Sequence, residues 1–247
     1  IRQTGAHGDF VDTLLQVVAL DDVVGLVLYS IAISVALASL DGTGFTLSAL
    51  LRPVTLNILI MALGGMFGFF MKLLMPSNRS TDNKLIISIA LLFSFCGICA
   101  LLDISPLLGC MAMGTVYTNI AENDKLFKQL GYFSPPILLL FFVRSGMSFR
   151  LDALVSASGA MNGVPLLVIG GTYFLVRILG KYLGAWLGCR MVKKDRLVRN
   201  YLGLALIPQA GVAIGLAALG ARTLGGTMGE DLQTIILASS VLYELIG

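Results

Sequence analysis

The chain has 247 residues, of which 57% are apolar and only 13% charged, with 17 lysines and arginines against 14 aspartates and glutamates and a net charge of +3. A soluble domain is about 45–50% apolar and about 25% charged, so the charge here is too thin to clothe a soluble surface of this size. The basic residues are dispersed among the loops between apolar stretches, which is no nucleic-acid footprint.

In chain order, apolar segments fall at roughly 11–38, 48–75, 83–102, 106–120, 132–149, 161–190, 199–220 and 231–247, most of them long enough to cross about 30 Å of hydrocarbon as helices. Turn-rich pieces separate them, among them Asp41-Gly42-Thr43-Gly44, Pro76 to Asn83, Asp103 to Pro106, Ala121 to Lys125, the region from Arg150 to Gly159, Lys193 to Arg196, and Gly225 to Asp231. Such clusters of Asn, Asp, Gly, Pro and Ser end helices. The fourth segment, Pro106 to Ile120, is short for a vertical crossing and must sit where protein shields it or the bilayer is thin. It is read as a crossing rather than a re-entrant piece because the alternation of sides then holds. With alternating ends, eleven basic residues collect on one side, from Arg2 through Lys72, Lys84 and Lys128 to Arg199, against Arg52, Arg150 and Arg222 on the other. The basic side is expected to be cytoplasmic.

Two glycine stripes, Gly64, Gly65 and Gly68, then Gly180, Gly184 and Gly188, put small residues on helix faces and predict close backbone approach. Cys96 and Cys99 form a C-x-x-C within an apolar run without a further zinc ligand, so they read as packing residues. The chain starts at Ile1 without a methionine or signal pattern and stops within an apolar run at Leu245-Ile246-Gly247. Further segments are therefore expected upstream.

The costliest residues lie inside the segments. Asp21 and Asp22 sit side by side in Val17-Val18-Ala19-Leu20-Asp21-Asp22-Val23-Val24-Gly25. Neighbours on a helix point about 100° apart, so one carboxylate can face an ion cavity while the other reaches a basic partner. Arg177 and Lys181 stand one helical turn apart on one face. Lys181 is taken as the partner of the aspartates, and Arg177 as a fixed charge, because guanidinium does not readily lose its proton. In Leu204-Ala205-Leu206-Ile207-Pro208-Gln209-Ala210-Gly211, Pro208 lacks the amide that would bond to Leu204, so the helix should kink or open there, with Gln209 and Gly211 beside the break. An opened helix exposes carbonyls and half-helix ends that can balance a charge. Arg144, within two turns of Arg150, lies near the outer boundary and carries less information, while Glu244 falls at an interior position of the last segment.

Together, Ala19-Leu20-Asp21-Asp22, Phe142-Val143-Arg144-Ser145-Gly146, Gly180-Lys181-Tyr182-Leu183-Gly184 and Gly203 to Gly211 resemble the bacterial monovalent cation:proton antiporter-2 family of sodium/proton exchangers. The likeness covers essentially the whole chain. It implies an all-α polytopic membrane protein, about eight spans of a twelve- or thirteen-span inverted repeat with discontinuous core helices. On that pattern residues 1–40 hold the last helix of the first core repeat and 41–155 the linking and dimerisation-side helices. Residues 156–247 would be the second core repeat, with its broken helix near 203–211. The resemblance further implies no enzyme and no cofactor, but sodium or lithium exchanged for protons by alternating access. Asp22 would bind the cation or proton in turn, with Asp21 also at the site and paired to Lys181. It implies a homodimer in the bilayer of the bacterial inner membrane, completed by N-terminal helices of the same chain, with basic loops cytoplasmic. Competing readings are a potassium/proton antiporter, whose branch usually lacks the adjacent aspartates, a channel, or a small-anion symporter using Arg144 or Arg177.

Overall fold

The structure, a computed structural model, describes residues 5–40, 47–76, 79–102, 104–121, 125–150, 152, 165–208 and 211–246. Among these the regular elements are helices: α1 Asp9–Leu40, α2 Leu47–Leu74, α3 Thr81–Leu101, α4 Leu107–Ile120, α5 Lys125–Met147, α6 Leu166–Met191, α7 Arg196–Ala205, α8 Gly211–Leu224 and α9 Gly226–Ile246. Five of them, α1, α2, α3, α5 and α6, are long and apolar enough to cross a membrane, and α4 and α8 are shorter apolar helices. Leu20, Leu28, Leu139 and Leu140 are exposed while Thr234, Ser239 and Ser240 are buried. That inversion of the soluble pattern suits a hydrocarbon solvent, in which hydroxyls must find partners within the protein. They do so locally: Ser30 donates to the Leu26 carbonyl at 2.9 Å, Thr172 to Val168 at 2.8 Å and Thr234 to Glu230 at 2.9 Å. The chain is an all-α polytopic membrane protein.

Segment limits differ from the hydropathy reading in three places. The fifth begins at Lys125 rather than near 132, because Leu126 is buried against Met71 and Tyr117 and carries the helix back through a polar stretch. The last starts at Gly226, and Glu230, just past its first turn, pairs with the Arg150 guanidinium at 2.5 Å. The seventh is two helices, α7 and α8. The beginning of the sixth segment, residues 161–164, lies outside the described residues.

The chain divides into two compact units, residues 25–142 and residues 1–24 with 143–247. In the first, α2 and α4 touch backbone to backbone. A Cβ on Gly64 would overlap the Gly109 carbonyl, and one on Gly68 would lie 2.5 Å from the Met113 carbonyl. Phe95 of α3 closes on Gly109, edge-on to Phe67 at 5.4 Å. Cys99 is buried beside Phe95 and Ile60, with Cys110 packed against them. Lys72 donates to the Ile120 carbonyl, placing a cation at the negative end of α4.

In the second unit, the beginning of α1 packs Phe10, Leu14 and Val17 against Cys189 of α6 and Val198, Leu202 and Leu206. Tyr182 and Gly203 bring α6 and α7 close, since a Cβ on Gly203 would lie 2.7 Å from the Tyr182 Cα. Leu166 and Tyr173 of α6 pack against Ile235 and Ala238 of α9. Between α8 and α9 the backbone reverses at Gly225 and Gly226, with φ of +65° and +55°. Both lie in the left-handed region that glycine enters without a Cβ penalty.

Candidate functional site

The axis of the site is the antiparallel pair α1 and α6. Asp9, in the first turn of α1, meets Lys194, just past the end of α6, at 2.7 Å. Deeper in, Lys181 Nζ forms an ion pair with Asp21 Oδ2. At 1.5 Å of rise per residue, about 18 Å of helix separates Asp9 from Asp21 and about 15 Å separates Lys181 from Met191, the last helical residue before Lys194. Two helices running in opposite directions thus match charge to charge at both levels. The inner pair is the more sheltered, the Lys181 side chain being 16% and that of Asp21 35% exposed.

The helix break faces this pair. Leu206 N–H still reaches Leu202 at 3.2 Å, and Ile207 N–H tightens onto Leu204 at 3.1 Å. Pro208 then has no amide to continue, so α7 ends at Ala205 and the chain turns helical again at Gly211. Gln209 lies outside the described residues. Arg177 Nη1 donates to the Ile207 carbonyl at 3.4 Å. Its guanidinium also sits 4.2 Å over the ring of Tyr243. Tyr243 is almost wholly buried, stacked on Phe174 at 4.7 Å, and its hydroxyl donates to the Phe174 carbonyl at 3.3 Å. A cation is favoured at the carbonyl end of a helix, so α6 presents Arg177 to the broken helix and, one turn later, Lys181 to Asp21.

Two cavities meet at the ion pair. The smaller, about 220 Å³, is lined by Asp21, Asp22, Lys181, Pro208 and Gly211 among others. The larger, about 670 Å³, is lined by Asp21, Lys181, Gly180, Gly184, Gly188 and Lys194 among others. Asp21 and Lys181 border both, whereas Asp22 borders the smaller one. The second glycine stripe is therefore corrected in its role. A Cβ on Gly180, Gly184 or Gly188 would meet nothing within 4 Å, and the missing side chains leave a lumen instead of a helix contact. Its spacing was visible in the sequence, but nothing there separates a packing stripe from a lining one. The part of Tyr243 also went unread, since no local pattern joins it to Arg177. Arg144 and Glu244 are exposed. Among the described residues no cluster of three or more His, Cys, Asp or Glu could hold a metal ion.

A helical membrane bundle with a carboxylate and ammonium pair facing a broken helix has the makings of an ion-translocating protein. The model of the family "Sodium/hydrogen exchanger, transmembrane" matches residues 2–247, and the chain belongs to that family. Membership places it among secondary transporters rather than enzymes. It is similar to the high-affinity Na(+)/H(+) antiporter NhaS3 of Synechocystis sp., 22% identical over 215 residues that cover 83% of this chain and 43% of the relative. The chain thus spans less than half the length of that relative.

Proposed function

We propose that the whole protein exchanges sodium or lithium for protons, with Asp22 taking the cation or the proton in turn and Asp21 held by Lys181. The observation that carries this is the ion pair of Asp21 with Lys181 at the junction of two cavities, with Asp22 beside it on the wall of the chamber at the helix break. Sodium and lithium are hard cations that bind carboxylate, carbonyl and water oxygens. On one carboxylate a cation and a proton exclude each other, so loading one unloads the other and the two fluxes are coupled without a chemical step. Lys181 neutralises Asp21 while the cation is absent; when a cation enters, Asp21 can turn toward it and Lys181 can release its own partner. The larger cavity supplies the route from the end marked by Asp9 and Lys194, which the basic loops assign to the cytoplasm. The sodium/proton exchange for which the Synechocystis relative is named supports sodium over potassium.

On this reading α6 to α9 belong to the second half of an inverted repeat, within a bacterial inner-membrane dimer of twelve or thirteen spans. Alternating access comes from movement of the core helices against the dimerising ones. The test is proton movement in vesicles containing the full-length protein on addition of sodium, lithium or potassium. Sodium-driven proton release that disappears in Asp22→Asn is the expected result. Unchanged release in that variant overturns the assignment, and a response to potassium alone moves the reading to potassium exchange.

A further inference from the structure

At the basic end of α6, away from the helix break, lies a charge cluster that ion exchange does not use. Trp186, the single tryptophan of the chain, is met by two guanidinium groups. Arg190, one turn further along α6, stands 5.1 Å from its ring centroid, and Arg199 of α7 stands 5.9 Å from it. The two guanidinium carbons can be no further apart than those distances laid end to end. The local backbone brings this about: Lys193 adopts a left-handed φ of +58°, Lys194 N–H returns to the Cys189 carbonyl at 2.9 Å, and α7 then starts back beside the end of α6.

Like charges gathered around one ring repel each other, and among the described residues no carboxylate pairs with either. Among the described residues the ion pairs of this unit join Arg150 to Glu230, Lys181 to Asp21 and Lys194 to Asp9, and Arg190 and Arg199 take part in none. The Arg199 Nε is buried with no hydrogen-bond partner among the described residues. Lys193 and Arg196 flank the cluster on the exposed side, and Asp195 is the sole acid between Trp186 and Ala205. The surroundings are apolar as well as basic: Leu187, Met191, Val192, Leu197 and Tyr201 are all more than half exposed. A freely soluble anion would gain nothing from that apolar rim, whereas a lipid fills both parts at once. Indole rings favour the membrane interface, and basic pockets at cytoplasmic helix ends suit lipid phosphates.

We propose that Trp186, Arg190 and Arg199 form a binding site for an anionic phospholipid of the basic-side leaflet. The phosphodiester lies between the two guanidinium groups, each offering a fork of N–H donors, and the acyl chains run along Leu187 and Met191. The test follows thermal unfolding of the detergent-solubilised full-length protein with phosphatidylglycerol, with phosphatidylcholine and with inorganic phosphate. It compares the unchanged protein, the pair Arg190→Gln with Arg199→Gln, and a charge-matched control, Arg79→Gln with Lys128→Gln. The expected result is a rise in Tm of several degrees with phosphatidylglycerol over phosphatidylcholine, kept by the control and mostly lost in the Arg190 and Arg199 pair. A full shift in that pair, or an equal shift with phosphatidylcholine, overturns the site. An equal shift with inorganic phosphate overturns its assignment to lipid. Should the pair unfold early even in phosphatidylcholine, native mass spectrometry of the single variant Arg190→Lys decides. Weaker phosphatidylglycerol retention than in the unchanged protein supports the site, because lysine keeps the charge without the fork, and equal retention overturns it.

Discussion

Asp21 and Lys181 are 160 positions apart and meet as an ion pair. Removing one partner leaves the other charge in a poorly hydrated place, while removing both takes away the attraction and the desolvation penalty together. Lys181→Ala and Asp21→Asn are each expected to cost roughly 1–3 kcal/mol of unfolding free energy, discounted because Asp21 is partly exposed, and the double variant less than their sum. A denaturant series on the full-length protein checks this, and strict additivity would show that the pair contributes no coupling. Arg177 offers a second test. Its contact with Tyr243 adds about 0.5–2 kcal/mol by cation attraction to an aromatic face, and its hydrogen bond to the Ile207 carbonyl adds to that. Arg177→Ala should therefore lower stability by about 2 kcal/mol. Arg177→Lys should recover part of it, since an ammonium keeps the charge but lacks the planar face. Both residues stood out in the sequence as charges too costly for an apolar span, but the carbonyl and the ring that receive Arg177 did not.

At the scale of elements, the two glycine stripes have the same spacing and opposite uses. Gly68 faces the Met113 carbonyl so closely that even an added methyl must displace backbone, whereas Gly184 faces open space. Gly68→Leu is expected to destabilise the protein by about 1–3 kcal/mol through overpacking. Gly184→Leu should leave unfolding nearly unchanged and slow exchange by narrowing the larger cavity. Unfolding and vesicle flux measured on the same two variants separate these effects, and the prediction fails if Gly184→Leu unfolds as easily as Gly68→Leu. The break between α7 and α8 was readable from Pro208 because proline removes one particular hydrogen bond wherever it stands. The extension of α5 back to Lys125 was not, since it depends on Leu126 finding Met71 and Tyr117, contacts that a hydropathy window does not contain.

For the whole molecule, the alternation of basic and non-basic ends makes a topological prediction. With the native cysteines replaced, a cysteine placed at Lys193 should react with a membrane-impermeant thiol reagent from the cytoplasmic side, and one placed at Arg222 from the opposite side. Labelling both from one side would break the alternation and with it the cytoplasmic assignment of the larger cavity.

The sequence alone determined the solvent, the helical character of the spans, the residues whose burial is costly and the position of the helix break. Each of these follows from transfer free energy or backbone chemistry that acts within one turn or one span, and so is written locally. The pairing of Lys181 with Asp21 was expected from the family resemblance and is seen as an ion pair; only the tertiary structure decided that Arg177 and Tyr243 meet at the end of α7, and which glycine stripe packs and which leaves a cavity. Those outcomes depend on how separate helices pair, and many pairings satisfy the same one-dimensional pattern until side chains distant in the chain are brought into one packed space.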